Sequence, residues 1–382
     1  MPPRSQVRTV PRAVHGAPDH AELQRLELRP ADVLDFSSPI NAYGPSPSVR
    51  EAVARTPLDR YPDDEALALR AALAERLGVP PTRILAANGC SELIWLAALA
   101  FLHPCDRVLI LGPTFAEYAR MAALMDAHLR THLASEENAF APSLDEVNDD
   151  LDRWQPQLVF LCNPNNPTGA GLDARIVASW TQDYQNTIFI VDESYLAFAA
   201  GLESMVSFAG GNVLVLKSMT KEFALAGLRL GYAVGAEEAI ASLARVRPPW
   251  SVNALAQAAG IAALRDREHL NDSLQRLAAA KSELTAAIAA LGMQVLPSAA
   301  PFFLVRVADA AAVRLALLRK GVLVRDCASF GLPQYVRICT RRPEENARLV
   351  AALRQLHGEA AVLTRLPDLS HLEGGGGCRL KR

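Results

Sequence analysis

Lys221 follows Ser218 by three residues and precedes Arg229 by eight, in the stretch 213–235, VLVLKSMTKEFALAGLRLGYAVG. The apolar, largely β-branched run VLVL ahead of it reads as a buried strand. A lysine just past such a strand is partly shielded from water. Desolvation disfavours the ammonium form, lowers the pKa and leaves a usable nucleophile. A hydroxyl before it and a guanidinium after it, the latter between Gly227 and Gly231, suit a phosphate monoester. The combination fits a lysine that forms a Schiff base with an aldehyde-bearing phosphate, pyridoxal phosphate. Taken alone, Lys221 reads as a surface lysine beside a helix cap, since lysines are usually exposed.

Other elements must bring complementary groups to that amine. Residues 84–92, ILAANGCSE, read as strand, glycine turn and helix start. Free backbone N–H groups and the positive end of a helix dipole attract an anion there. Gly89, Cys90 and Ser91 are therefore assigned to the phosphate, the alternative being a plain turn with Ser91 as N-cap. The strand 107–111 leads to Phe115 and Tyr118; an aromatic at a strand end can stack on a pyridine ring or simply join the core. The strand 158–162 runs into Asn163-Pro164-Asn165-Asn166-Pro167-Thr168-Gly169. The run 187–191 ends at Asp192, on the carboxyl edge where open parallel sheets bind ligands. A carboxylate there can keep a pyridine nitrogen protonated and make the ring an electron sink. Tyr195 follows by three.

Two rival chemistries are present. Residues 169–174, GAGLDA, fit G-x-G-x-x-A with Asp192 about 20 residues on, as a dinucleotide site requires. An NAD-dependent oxidoreductase is thus an alternative. Against it, NPNNPT separates the glycines from the strand, and the lysine stretch is left unexplained. His128 and His132, at i and i+4, would share a helix face as half of a zinc site, but no further ligand pattern follows, and no metal is expected.

The chain has 382 residues, half of them hydrophobic and about a fifth charged, with a formal net charge of −2. That length calls for two domains. That charge implies no nucleic-acid or membrane-surface partner. No apolar run reaches spanning length, and the N-terminus lacks the apolar core of a signal peptide. Six scattered cysteines without a C-x-x-C pair read as reduced thiols, hence a cytoplasmic location.

The words SMTK, GLRLGY, NPNNPTG and DESY resemble the class I/II aminotransferase family, over almost the whole chain from His15 to about Leu356. The resemblance implies an α/β fold of type I among pyridoxal phosphate-dependent transferases: a large domain with a mostly parallel sheet between helices, and a smaller α+β domain. It implies a homodimer in which Tyr61, of YPD, reaches the neighbour's cofactor phosphate; taken alone, Tyr61 is an ordinary turn residue. It places Phe115 on the cofactor ring, and Asn166 and Tyr195 at the ring hydroxyl oxygen. It brings the loop holding Asn41 over the active site of its own subunit. It aligns Arg337 with the substrate's α-carboxylate and Arg325 with a distal phosphate, with His15 as a third phosphate contact. A lone arginine in a strand would otherwise pair with an acid.

Within the family, PPWSVNALAQAAG and GVLVRDCASFG followed by YVRICTRRPEEN look most like threonine-phosphate decarboxylase, so decarboxylation of a phosphorylated amino acid is expected. Histidinol-phosphate aminotransferase is the sibling alternative. HGAP at 15–18 and PINA at 39–42 depart from the decarboxylase pattern. The expected organisation is an arm and active-site loop (1–45), a cofactor-binding domain (46–246), a small domain (247–358) and a disordered glycine-rich tail (359–382).

Overall fold

The computed structural model describes residues 2–208 and 210–358, so the tail expected to be disordered lies outside the described residues. The first strand, β1 (Leu34–Asp35), is short. β2 (Ile84–Ala87), β3 (Arg107–Gly112), β4 (His128–Leu133), β5 (Leu158–Cys162), β6 (Ile188–Asp192), β7 (Val213–Ser218) and β8 (Gly231–Gly235) form a seven-stranded sheet in the order β2-β8-β7-β6-β5-β3-β4. Its inner strands β5, β6 and β7 are almost continuously apolar and buried. That pattern belongs to parallel strands covered on both faces. β3 to β7 are parallel; only β8 runs against its neighbours β7 and β2. This is the mostly parallel sheet among helices that the resemblance implies.

A second, antiparallel sheet contains β9 (Phe302–Arg306), β11 (Arg325–Asp326) and β12 (Tyr335–Cys339) in the order β11-β12-β9, while β10 (Val322–Leu323) pairs in parallel with β1. Phe36, just past β1, is buried among Val305, Val324 and Ile338. The amino-terminal segment thus shares a core with the carboxyl-terminal sheet, a contact between residues nearly three hundred positions apart.

Local readings differ from the structure at several places. His128 and His132 lie on β4, not a helix, because HLRTHL pairs with β3 along its whole length. Four residues along a strand separate them by about 13 Å. His132 Nδ1 faces Asp150 at 3.3 Å. Among the described residues no group of three or more metal-binding side chains occurs. Ala254–Arg265 and Arg267–Ala289 are two separate helices, since Asp266 caps the second through His269 N. Val295 forms a single bridge to Val305. In the expected loose arm, Ser5–Thr9 is a helical turn.

The glycines of the dinucleotide-like run have packing duties. A Cβ on Gly169 would lie 1.9 Å from Ser298 Oγ, and one on Gly171 2.6 Å from a Leu202 methyl. They sit before the N-cap Asp173 of the helix Ala174–Asp183, so they do not line its first turn as a diphosphate cradle would.

Candidate active site

The carboxyl ends of β5, β6 and β7 open on a cavity of about 350 Å³ whose wall includes Lys221, Asp192, Tyr195, Asn166, Ser218 and Phe115. Strand register is the first cause. Ser218 lies opposite Gly231, and Gly231 opposite Ala87. Three strands therefore end level with the helix Gly89–Phe101. A Cβ on Gly231 would fall 2.9 Å from Cys90 N, so β8 passes this helix start as closely as a glycine permits. No side chain caps the first turn of that helix. The N–H groups of its first turn, the Ser218 hydroxyl and the Arg229 guanidinium are donors of the kind a phosphate takes, and Cys90, Ser91, Ser218 and Arg229 line the cavity. Gly89 has φ +81°, and a Cβ there would lie 2.8 Å from Arg229 Nη2. Thr220, which bonds Ser218 Oγ at 2.7 Å, joins the same wall.

Lys221 lines the same cavity, its Nζ 5.9 Å from the centre of the Tyr195 ring. Burial, and then the positive charge of Arg337, hold its pKa below the ordinary lysine value. Lys217 is instead committed to Glu193 at 2.8 Å. Asp192 is buried and accepts from Tyr118 Oη (2.8 Å), Ser194 N (2.9 Å) and Ser194 Oγ (2.6 Å). Burial raises its pKa against those bonds and against Lys221. A cationic ring nitrogen is the partner that would stabilise this carboxylate. Tyr118 stacks on Phe160 at 5.0 Å and so aims its hydroxyl at Asp192, a role its spacing from Phe115 does not disclose.

Arg325 and Arg337 face each other across β11 and β12 and are both buried. Arg337 donates to Asn166 Oδ1 and to Ser37 O, while its Nε has no hydrogen-bond partner. Arg325 donates to Val14 O at 2.9 Å and Ser329 Oγ at 2.6 Å. Its nearest acid, Asp326, is 3.8 Å away. Burial, then Arg337, lower its pKa. His15 also lines the cavity.

Three assigned residues, Gly89, Asn41 and Tyr61, are not among those lining the cavity wall. Asn41 is buried with its amide spent: Nδ2 donates to Glu222 O (2.9 Å) and Ser273 Oγ (2.7 Å), and Oδ1 accepts from Tyr43 N (3.0 Å). Its own N–H donates to Lys221 O at 3.0 Å, so it braces the lysine turn from behind. Tyr61 is 77% exposed and stacked on Trp250 at 4.5 Å. The wall also holds residues that the sequence reading did not assign: Gly16, Ser37, Cys162, Ser194 and Phe330.

The residues fit pyridoxal phosphate: a glycine cradle with open N–H groups, a buried lysine, and a buried carboxylate at the opposite wall. The sequence profile described as aminotransferase class I and II matches residues 31–353. The chain belongs to that family, and its cofactor is pyridoxal phosphate. It is 37% identical over 371 residues to histidinol-phosphate aminotransferase 2 of Ralstonia nicotianae, covering 93% of this chain and 96% of that one. Among solved structures, histidinol-phosphate aminotransferase of Sinorhizobium meliloti, a complex with pyridoxal-5'-phosphate, superposes with TM-score 0.84 at 24% identity over 94% of this chain and 98% of that one. L-threonine-O-3-phosphate decarboxylase of Porphyromonas gingivalis superposes with TM-score 0.73 at 29% identity, over 85% and 99%.

These findings correct the expected reaction. Curated relatives at 33–37% identity are histidinol-phosphate aminotransferases, which overturns decarboxylation as the main reading. Two of the motif words that favoured it, GVLVRDCASFG and YVRICTRRPEEN, carry Arg325 and Arg337, charges that suit an anionic substrate in either reaction, so they discriminate little.

Proposed function

We propose that this enzyme is a transaminase of the histidinol-phosphate type, moving an amino group between a phosphate-bearing amine and a 2-oxo acid. The observation that carries the reading is the buried, acid-poor pair Arg325 and Arg337 on the wall that also holds Lys221. Two buried guanidiniums facing each other, with Asp326 at 3.8 Å from Arg325 as the nearest acid, call for an anionic substrate. Pyridoxal phosphate, when bound, supplies the aldehyde that captures the amine and the ring that draws electrons from its Cα bonds. The cradle of Gly89, Cys90, Ser91, Ser218 and Arg229 holds the phosphate of the cofactor. Asp192 would keep its ring nitrogen protonated, Phe115 would stack on the ring, and Asn166 and Tyr195 would address the ring oxygen. Lys221, neutral at lower pH than an exposed lysine, takes the Cα proton and returns it one carbon away. Arg325, with His15, binds the distal phosphate, and Arg337 the α-carboxylate of the acidic partner.

The test is incubation with histidinol phosphate and 2-oxoglutarate. Glutamate formation supports the assignment; its absence, with turnover of unphosphorylated amino acids, refutes it.

Supporting a homodimer, Tyr61 and Trp250 form an exposed aromatic stack away from the chain's own cavity, with exposed Leu58 and Leu67 nearby in sequence. We propose that this face meets a second copy, whose phosphate cradle Tyr61 completes. Sedimentation equilibrium should give twice the chain mass, and an active monomer would refute the shared site. No described helix is long and apolar enough to cross a membrane. Cys90, Cys105, Cys162, Cys327 and Cys339 are free thiols, which fits the cytoplasm we propose.

A further inference from the structure

The segment 11–19 has no helix or strand, yet Val14, His15, Gly16 and Ala17 form one wall of the cavity. Something must hold so irregular a strap in place. Backbone contacts supply part of the answer: Arg325 donates to Val14 O, Ala17 N donates to Ser37 Oγ at 2.9 Å, and a Cβ on Gly16 would lie 2.6 Å from Ser37 O. These anchors sit on β11 and on the turn after β1. His15 makes the contact in the other direction. Its Nε2 lies 3.2 Å from Glu117 Oε1, on the first turn of the helix Ala116–Leu124. That helix follows Phe115, whose ring is 5.5 Å from the imidazole.

Glu117 is 4% exposed, and its other oxygen accepts from Arg120 Nη1 at 3.1 Å. Arg120 is held in turn over the Trp95 ring at 5.5 Å. A buried carboxylate fixed on its far side has one free orientation for the imidazole it meets. A carboxylate only accepts, so Nε2 must carry the hydrogen, and Nδ1 becomes the nitrogen left for other partners. Glu117 itself is not part of the cavity wall, so it acts through His15.

We propose that Glu117 is a positioning residue that orients His15 as a contact for the distal anion of the substrate. The inference rests on the transaminase reading for the identity of that anion, but the Glu117–His15 link stands on its own geometry. The bland alternative is that Glu117 is only the ion-pair partner of Arg120.

The experiment compares Glu117→Gln, Glu117→Asp and Arg120→Gln holoenzymes. The amide of Gln keeps an acceptor but loses the charge. The expected outcome for Glu117→Gln is a KM about ten-fold higher for a phosphorylated amine, with kcat and the KM of a phosphate-free donor little changed. Glu117→Asp should recover part of the loss, and Arg120→Gln, which loosens the far side of Glu117 but keeps its carboxylate, should raise the KM of the phosphorylated amine clearly less than Glu117→Gln does. Imidazole 15N shifts of His15 should show Nε2–H in the parent and a changed tautomer or protonation balance in Glu117→Gln. This readout needs no turnover, so it tests the link even if the substrate assignment fails. Unchanged His15 shifts would overturn the proposal. So would equal KM increases for both donors, or an Arg120→Gln variant that behaves like Glu117→Gln.

Discussion

Replacing Glu222 by glutamine should make the protein's stability less dependent on pH. Glu222 follows the active-site lysine and is 9% exposed, beside a void of only about 10 Å³ shared with Ser46, Asp266 and His269. Burial pushes its pKa from the ordinary 4.5 up to about 7, even though its backbone and the charges of Lys217, Arg76 and Lys221 pull the other way. The folded state therefore keeps a proton that the unfolded chain releases. Its contribution to stability is fully present below about pH 4.5 and is lost as pH rises through about 7. At about 1.4 kcal/mol per unit, the gap is worth on the order of 3 kcal/mol across that window. Glutamine is neutral throughout and near in shape to the protonated acid. The two proteins should thus be of similar stability near about pH 5, and the variant more stable near about pH 8 by a sizeable part of that figure. Urea unfolding at both pH values, with saturating cofactor, measures it. Other titrating groups cancel in the difference between the two proteins. The reasoning fails if that difference is the same at both pH values, or if the variant is the less stable one at the higher pH.

Lys221→Ala should abolish both turnover and the borohydride-trapped adduct, because Lys217 is held by Glu193; mass spectrometry that finds the adduct on Lys217 would refute the assignment. Gly89→Ala should weaken cofactor retention by about ten-fold or more, since the new methyl meets Arg229 and the backbone has φ +81°. Absorbance titration of the apoenzyme checks it, and unchanged affinity would remove this turn from the phosphate cradle.

What could be read from the sequence was whatever a short stretch carries by itself. The run from Val213 to Gly231 holds strand, hydroxyl, lysine and guanidinium in one continuous segment, and the sheet only has to keep that segment straight. Asp192 was legible for the same reason: IFIVD ends where a buried parallel strand must end. Asn41 was misjudged because its fate depends on Glu222 and Ser273, far along the chain, which take up its amide from behind. The same holds for Glu117, whose partner His15 lies 102 positions away. In sequence it lies between Phe115 and Tyr118, with nothing local to mark it. The His128–His132 spacing misled because a four-residue interval puts side chains on one side of a helix and of a strand alike.

The substrate question has a similar physical root. On adjacent antiparallel strands, like charges directly opposite one another are destabilising, and burial makes the cost larger. Arg325 and Arg337 accept that arrangement, offset only in part by Val14 O, Ser329, Ser37 O and Asn166. A pair retained against such a penalty answers to a ligand with negative charge, and the cavity they line is the one that holds Lys221. Nothing in the pair chooses between losing a proton and losing carbon dioxide at Cα. That choice belongs to the rotation of the bound substrate, which depends on the groups that hold its far end, His15 among them under the proposed function. Motifs around the arginines therefore describe which charges are bound, whereas relatedness over nearly the full length of the chain, at 37% identity, bears on which bond breaks. The two kinds of evidence meet at the strap: if His15 sets the pose, its hold on Glu117 is where a transaminase and a decarboxylase built on this frame would first diverge.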